Sequence, residues 1–507
     1  MITAGTPLDT PDRKQILIQC GGALILGSAL PLAFAPFHLW PLAILLPAGL
    51  IWVLERDLTL RQLFLAGYCF GLGYLGFGVY WIYNSLHDFG QAPPIVAGGL
   101  TGLLIVYLAL YPAASLVFWG YASRAFGRTS LWFLPLFWFS FEWLKGWVIT
   151  GMPWLSLGYS QTNSPLAGYA PLIGVYGISA MCILMSVALV LLIRERRFSM
   201  FGVLIGVPLA GWLALQTEWT EPVESLKVTM VQGNIPQEIK WRGDQQQSIF
   251  NTYWRETSMN WNSDLIVWPE TALPGNSIRS DVNLLRPMQQ AAIEKQTPIM
   301  TGVIGAEKDG SAFYNSVVLL NEDRTFYHKR HLVMFGEYYP MRWLLKFFSS
   351  LILIPYSDLT PGPDLQSQMR VRDLSFGISI CFEDVFSRDV FLDLPQAHIL
   401  VNVSNDAWFG DSTAPHQHLQ IAQMRSLEAE RPMLRSTNTG VSGFIDHKGR
   451  IFGRSDQFKT QSITATVTGR TGSTPFNYFL KVQGIFSLAI IILTLIFVRR
   501  GNSISLS

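Results

Sequence analysis

The chain has 507 residues, half of them hydrophobic and only 14% charged, with 17 tryptophans and a positive mean hydropathy. That balance excludes an ordinary soluble globular protein and is the composition of an integral membrane protein. A formal net charge of +2, with no block of lysine or arginine, excludes a nucleic-acid-binding surface, so no nucleic acid is expected as a partner.

Seven apolar segments long enough to span a bilayer come first, at about 15–34, 39–54, 62–83, 94–120, 131–149, 166–193 and 200–217, and an eighth lies at 483–498. The second and eighth are short. Arg13 and Lys14 precede the first, and Arg56, Arg61, Arg124, Arg128, Arg194, Arg196, Arg197, Arg499 and Arg500 follow the second, fourth, sixth and eighth. The alternate connections, 35–38, 84–93 and 150–165, carry neither Lys nor Arg. The positive-inside rule then puts both termini in the cytoplasm and residues 218–482 on the far side. The first segment is expected to remain as an uncleaved span rather than a signal peptide. The expected organisation is a seven-span domain over 1–217, an exported domain over 218–482, and an eighth span with a cytoplasmic tail over 483–507.

From Leu226 the pattern changes to short strands separated by polar helical stretches, the signature of an α/β domain. Leu226–Gln232, Asp264–Trp268, Pro298–Gly302, Ser316–Leu320, Ser375–Cys381 and Ile399–Val403 read as strands; Asp244–Met259, Asp281–Lys295 and Gln417–Glu430 read as helices. No repeat of 20–50 residues interrupts them. Met341–Tyr356 is strongly apolar yet too short and interrupted to span comfortably. It reads either as an arm that dips into the outer leaflet, presenting Trp343, Phe347 and Phe348, or as a helix buried against the core.

Cys20, Cys69 and Cys182 fall inside apolar segments, where a thiol is a small packing residue. Cys381 is the one cysteine outside them, so the exported domain has no internal disulfide. It ends the alternating run Ser375-Phe376-Gly377-Ile378-Ser379-Ile380 and precedes Phe382-Glu383-Asp384, which starts like a helix. A lone thiol where strand gives way to helix is a candidate nucleophile. Glu270 follows the apolar strand Leu265-Ile266-Val267-Trp268, which Pro269 stops, and Lys329 leaves a short strand in Thr325-Phe326-Tyr327-His328. A glutamate, a lysine and a cysteine thus each stand at a strand end, where α/β folds build sites. Taken singly, each has a bland alternative as a cap, a surface charge or a buried thiol.

Together these residues resemble the Glu-Lys-Cys triad of the nitrilase superfamily. More closely, the chain is similar to the bacterial apolipoprotein N-acyltransferases, which join such a domain to an eight-span membrane domain. The matching stretches are Val231-Gln232-Gly233-Asn234-Ile235-Pro236-Gln237, Trp268-Pro269-Glu270, Leu332-Val333 with Phe335-Gly336-Glu337, Asn405-Asp406-Ala407-Trp408-Phe409-Gly410 and Asn438-Thr439-Gly440-Val441-Ser442. Met334 departs from the proline usual in the family, which suggests a less rigid turn before Glu337. The resemblance implies an α-β-β-α sandwich carried on about eight spans in a bacterial inner membrane, with the catalytic domain on the periplasmic side. It also implies a phospholipid acyl donor and, as acceptor, the α-amino group of the diacylglyceryl-cysteine of an apolipoprotein.

Acyl transfer sets the roles. A helix N-terminus after Cys381 and the Lys329 cation would favour the thiolate. Glu270, as a partly desolvated carboxylate, would be the general base. Lys329 and a backbone amide near Phe382 would stabilise the oxyanion, a donor of this kind being worth about 3 kcal/mol. Glu337 is read as orienting Lys329 or positioning substrate, and Glu383 either does the same or complements the helix dipole. Trp241 is implied to line the acyl site or simply packs. A thioester on Cys381 and ping-pong kinetics follow. No cofactor is expected, since the sequence lacks a Gly-x-x-x-x-Gly-Lys-[Ser/Thr] loop.

Glu142 and Lys145, one turn apart in the fifth span, either mark a functional site or neutralise each other. His416 and His418 near Asp411 lack a third spaced ligand, so no metal is expected. The same triad would serve a membrane-tethered amidase or lipid esterase, and a non-catalytic lipid module would not need Cys381. Eight spans favour lipid substrates.

Overall fold

The computed structural model describes residues 13–54, 58–276, 281–307, 309–334, 336–338 and 358–504. The chain opens with α1 (Arg13–Ala29), α2 (Leu42–Val53), α3 (Leu60–Gly78), α4 (Pro94–Leu108), α5 (Leu110–Phe126), α6 (Leu134–Lys145), α7 (Ala170–Glu195) and α8 (Met200–Leu215). Four helical stretches are long and apolar enough to cross a bilayer: Arg13–Ala33, Pro94–Arg124, Pro165–Glu195 and Pro475–Phe497. Leu60–Gly78 and Ile82–Phe89, bent by 57°, make a fifth if they act as one span.

The expectation of eight full spans therefore shrinks to four or five among the described residues. α2 and α6 are 12 residues each, or about 18 Å of helix against a hydrocarbon core of about 30 Å. The expected span 131–149 is aromatic enough to read as membrane-spanning, but α6 stops at Gly146. The chain then runs as 3₁₀ turns through Val148–Thr150, Leu157–Gln161 and Pro165–Tyr169. Trp154, Leu155, Leu157 and Tyr159 of this irregular stretch are buried. Non-helical backbone is tolerated at such a place because protein surrounds it.

The α/β domain holds two sheets. The first has the order β13-β1-β2-β4-β5-β6, with β3 beside β4. Its strands are β1 (Thr220–Gln232), β2 (Leu265–Val267), β3 (Leu273–Asn276), β4 (Ile299–Ala306), β5 (Phe313–Leu320), β6 (Thr325–His328) and β13 (Gln461–Gly472). The second runs β12-β11-β10-β9-β8-β7, from β7 (Met369–Val371), β8 (Leu374–Ile380), β9 (Ile399–Ser404), β10 (Met433–Thr437), β11 (Gly443–Ile445) and β12 (Ile451–Arg454). The expected strands are all present with shifted ends; β2 is trimmed at both, and β1 and β4 are longer.

Val228, Met230, Val267, Met300 and Val317 of the first sheet meet Ile378, Ile380, Val401, Val403 and Leu434 of the second in one buried layer. Alternation drives this packing, since every second side chain of a strand faces its partner sheet. α9 (Gln246–Ser258) and α10 (Arg286–Glu294) cover the outer face of the first sheet through Ile249, Tyr253, Met288 and Ala292. α11 (Ala414–Ala429) covers the second, through Leu419 and Ala422. This is the α-β-β-α order that the resemblance implied.

The other face of α11 packs on the helical domain. Ile421, Met424 and Leu427 share a core with Trp154, Tyr159, Ile178 and Leu191, joined by Val385 and Phe386. Polar side chains of α11 lock the seam. Gln417 accepts from the indoles of Trp154 (2.8 Å) and Trp81 (3.3 Å), Gln420 accepts from Ala35 N (3.0 Å), and Glu428 accepts from Val175 N (2.8 Å) and Ser387 Oγ (3.0 Å). The last helix, α12 (Pro475–Ile504), contains the expected eighth segment.

Candidate active site

Three strand ends converge where the sequence placed its candidates. Glu270 follows β2 once Pro269, which has no N–H to donate, ends the ladder. Gly302 of β4 runs directly alongside: a Cβ there would stand 2.4 Å from Thr271 N and 2.7 Å from Glu270 Cα. Only glycine permits that approach. Lys329 is the first residue past β6; its N–H donates to Asn315 O (2.8 Å) and its carbonyl accepts from Gly362 N (2.7 Å). Cys381 is the first residue past β8 and has a φ of 51°, a left-handed conformation that an L side chain adopts only when its surroundings enforce it. The enforcing contacts include Asn402 Nδ2, 3.1 Å from the Cys381 carbonyl, and His418 Nε2, 3.3 Å from it.

The helix expected after Cys381 is a five-residue 3₁₀ turn, Cys381–Val385. So short a turn supplies little macrodipole, and the expectation that a helix N-terminus activates the thiol falls. The reason is Glu383, whose carboxylate folds back onto the backbone instead of facing a helix axis. It accepts from Ile380 N (2.6 Å), Arg330 N (2.5 Å), His331 N (3.1 Å) and Tyr327 OH (3.0 Å). Glu383 thereby ties the cysteine turn to the strand end that carries Lys329.

Glu270, Lys329 and Glu337 form one hydrogen-bonded net. Lys329 Nζ donates to Glu337 Oε1 at 2.9 Å, and Asn315 Nδ2 donates to the same oxygen at 2.8 Å and to Glu270 Oε1 at 2.7 Å. Asn405 N holds the other Glu270 oxygen at 2.8 Å, and Val333 N the other Glu337 oxygen at 2.8 Å. Lys329 and Glu270 are buried, whereas Cys381 keeps part of its surface open. Burial works against a charge on Lys329, but Glu337 and then Glu270 outweigh it and hold its pKa above the ordinary lysine range. The dense protein around the sulfur, followed by the Glu270 carboxylate, pushes the Cys381 thiol well above its usual range, with Lys329 opposing. Burial first, and the Glu270 carboxylate after it, thus favour the protonated sulfur over the thiolate that Lys329 would promote. A thiol beside a buried carboxylate suits general-base catalysis, in which the proton leaves as the sulfur attacks.

A second polar layer supports these residues. Asn405 Nδ2 donates to Gln237 Oε1 (2.8 Å), and Asn438 Nδ2 donates to Asn405 Oδ1 (3.0 Å). Beneath Cys381, His418 pairs with Asp384 (2.8 Å) and Asp406 (3.3 Å), and Arg435 pairs with Asp406 (2.9 Å) and Asp384 (3.5 Å). His418 is thus engaged by carboxylates and the cysteine turn. No group of three or more His, Cys, Asp or Glu side chains is arranged to hold a metal among the described residues.

Phe382 is half-buried, stacked on Trp154 of the helical domain (6.2 Å between centroids, 11° between planes) and edge-on to Phe386. Trp241 follows the short helix Gln237–Lys240 and is half-buried. The turn after Met334 is closed by hydrogen bonds from Gly336 N and Glu337 N to Val333 O, so the missing proline does not leave Glu337 loose. Met341–Tyr356, with Trp343, Phe347 and Phe348, lies outside the described residues. Glu142 and Lys145 act on each other as opposite charges without a direct hydrogen bond, and each has further partners: Trp138 Nε1 (3.0 Å) and Leu157 N (2.9 Å) donate to Glu142, and Lys145 Nζ donates to Trp154 O (3.2 Å). Sequence reasoning missed Asn315 and Lys240. The signal for Lys240 was its place one residue before Trp241, just past the β1 end.

Residues 26–188 match the family model described as the apolipoprotein N-acyltransferase N-terminal domain, and residues 227–476 match that described as carbon-nitrogen hydrolase. A curated protein of Methylococcus capsulatus named apolipoprotein N-acyltransferase is 39% identical over 463 residues, covering 90% of this chain and 91% of that protein. One of the same name from Coxiella burnetii is 38% identical over 486 residues, covering 93% and 98%. Among solved structures, the CN-hydrolase superfamily protein XC1258 of Xanthomonas campestris aligns with 53% of this chain and 97% of its own, at 16% identity and a TM-score of 0.38.

Proposed function

This chain belongs to the apolipoprotein N-acyltransferase family and is an acyltransferase, and from that premise we propose that it moves one acyl chain of a phospholipid, through a thioester on Cys381, to the α-amino group of a diacylglyceryl-cysteine at the start of an apolipoprotein. The observation that carries this reading is the hydrogen-bonded net that joins Glu270 to Lys329 beside a thiol held at a strand end. Glu270 takes the Cys381 proton as the sulfur attacks the ester carbonyl. The Lys329 ammonium meets the developing oxyanion. Collapse expels the lysophospholipid alkoxide, which recovers the proton from Glu270 and leaves the thioester. The acceptor amine then attacks the thioester, Glu270 accepts its proton and returns it to the departing sulfur, and an amide results. Ester to thioester to amide needs no external energy.

In this reading Glu337 orients Lys329, Glu383 fixes the cysteine turn, and Phe382 and Trp241 line the path of the acyl chain. The apolar segment 341–356 admits the lipid. The distribution of Lys and Arg supports an inner-membrane topology with both termini in the cytoplasm and the α/β domain, 218–482, on the periplasmic side. The seven-span domain 1–217 and the last span within 483–507 complete eight crossings, the short helices counting as crossings between longer ones.

Intact-mass spectrometry of the purified protein mixed with phospholipid alone tests the reading. A hydroxylamine-labile adduct of one acyl chain on Cys381 is expected, discharged as an amide by a diacylated cysteinyl peptide. An active protein that never carries the adduct would refute the thioester route. Decay to free fatty acid at a rate the peptide does not change would instead support a lipid esterase.

A further inference from the structure

Lys240 is a second lysine at the reacting centre, one that neither the triad nor its supporting net uses. It ends the short helix Gln237–Lys240 and is buried at 2% exposure. Its Nζ donates to the backbone carbonyl of Glu270 at 3.1 Å. Long cationic side chains are rarely buried without a charge to answer. The charges that raise its affinity for a proton are those of Glu270 and Cys381.

The charge balance of the site shows what such a cation does. Asn315 gathers two carboxylates, Glu270 and Glu337, while Lys329 alone supplies one positive charge. Asp406 is answered by Arg435 and His418, and Glu383 by backbone N–H groups. Apart from Glu383, which also acts on Lys329 and whose carboxyl burial pushes up to about 7, the centre with Lys240 is neutral at rest: two carboxylates, two ammoniums and a thiol. It stays neutral when the proton moves from sulfur to Glu270 and the negative charge passes to the sulfur and then to the substrate oxygen. Without Lys240 the centre carries an uncompensated negative charge in every one of those states. In a site with little water, that charge opposes each further anion at several ångströms' range.

Resting on the thioester reading above, we infer that Lys240 is the electrostatic partner of Cys381: anchored on the Glu270 carbonyl, its ammonium offsets the negative charge that arises on the sulfur and the acyl oxygen. It is a positioning residue for charge rather than a group in contact with substrate. Burial lowers its pKa to about 8, with Glu270 and Cys381 opposing, so it remains mostly protonated at pH 7.

Site-resolved alkylation of Cys381 by iodoacetamide, read by peptide mass spectrometry on the full-length protein at pH 7, tests this without relying on acyl transfer. Lys240→Met should slow alkylation about tenfold and thioester formation by at least as much. Lys240→Gln, which can still donate to the Glu270 carbonyl but has no charge, should be equally slow. Lys240→Arg should stay within about twofold of the parent. Alkylation of the Gln variant at the parent rate would overturn the inference, as would an Arg variant as slow as the Gln variant. Should the Met variant not fold, the Gln and Arg pair decides. Failure of the thioester reading would show differently, as a missing acyl adduct on a normally alkylated Cys381.

Discussion

Asn315 gives both hydrogens of one amide nitrogen to carboxylates, standing 2.7 Å from Glu270 Oε1 and 2.8 Å from Glu337 Oε1. A buried carboxylate and a half-buried one share a neutral donor, and the base is thereby fixed relative to the residue that holds Lys329. Hydrogen bonds to charged groups contribute about 1.5–3 kcal/mol each. Asn315→Leu should therefore slow thioester formation by roughly 10- to 100-fold while Cys381 remains in place. Rapid-quench intact-mass kinetics checks this, and a rate within about threefold of the parent would remove Asn315 from the machinery.

Glu383 is expected to behave as a brace. Its carboxylate faces four donors, three of them backbone N–H groups, so Glu383→Gln turns an amide NH₂ against at least one of them. A buried mismatch of this kind costs about 1–3 kcal/mol. The variant should unfold several degrees below the parent in a thermal melt in detergent, and should lose activity in step with that fall.

His418 carries a pH-dependent share of stability. Burial and the Arg435 guanidinium work against a charge on its ring, but Asp384 and Asp406 outweigh them and hold its pKa above the ordinary 6.5. A pKa raised on folding means that the stabilisation is fully present below the unfolded value and fades as pH rises through the folded one. The gap in melting temperature between the parent and His418→Gln should thus be widest below pH 6.5 and narrow in alkaline buffer. A gap that widened with pH would contradict the pairing.

Trp154 belongs to the helical domain yet bears on the chemistry. Its indole N–H is 2.8 Å from Gln417, its ring stacks on Phe382, and it lies 5.2 Å from the His418 ring. Trp154→Ala should cost about 3–5 kcal/mol from lost burial and the cavity together and depress kcat. Trp154→Phe, which keeps the stacking but not the hydrogen bond, should fall between. Equal kcat in all three proteins would show that the seam does not reach the cysteine.

The strand-end positions of Glu270, Lys329 and Cys381 were legible because each follows a short strand that a proline, a pair of basic residues or an acidic turn ends. The partners of those residues were not. Asn315 sits inside a strand, and its use depends on Glu270 and Glu337 being drawn to one point from positions far apart in sequence. β13 was missed although Ser462-Ile463-Thr464-Ala465-Thr466-Val467 alternates, since its outward threonines dilute the apolar signal. The helix after Cys381 was misread because Glu383-Asp384 imitates an acidic first turn; only the fold reveals that Glu383 has backbone donors to satisfy. The fifth segment was read longer than its helix because Trp147-Val148-Ile149 keeps the pattern apolar past Lys145, where the helix ends.

Val385 and Phe386, four and five residues after Cys381, lie in the same apolar core as Trp154 and Ile178 of the helical domain. The α/β portion consequently has no clean cleavage plane: cut away near residue 218, it would turn Ile421, Met424 and Leu427 toward water and leave the cysteine turn without its floor. Detergents that loosen the helices should blunt the sulfur's reactivity before they unfold either sheet.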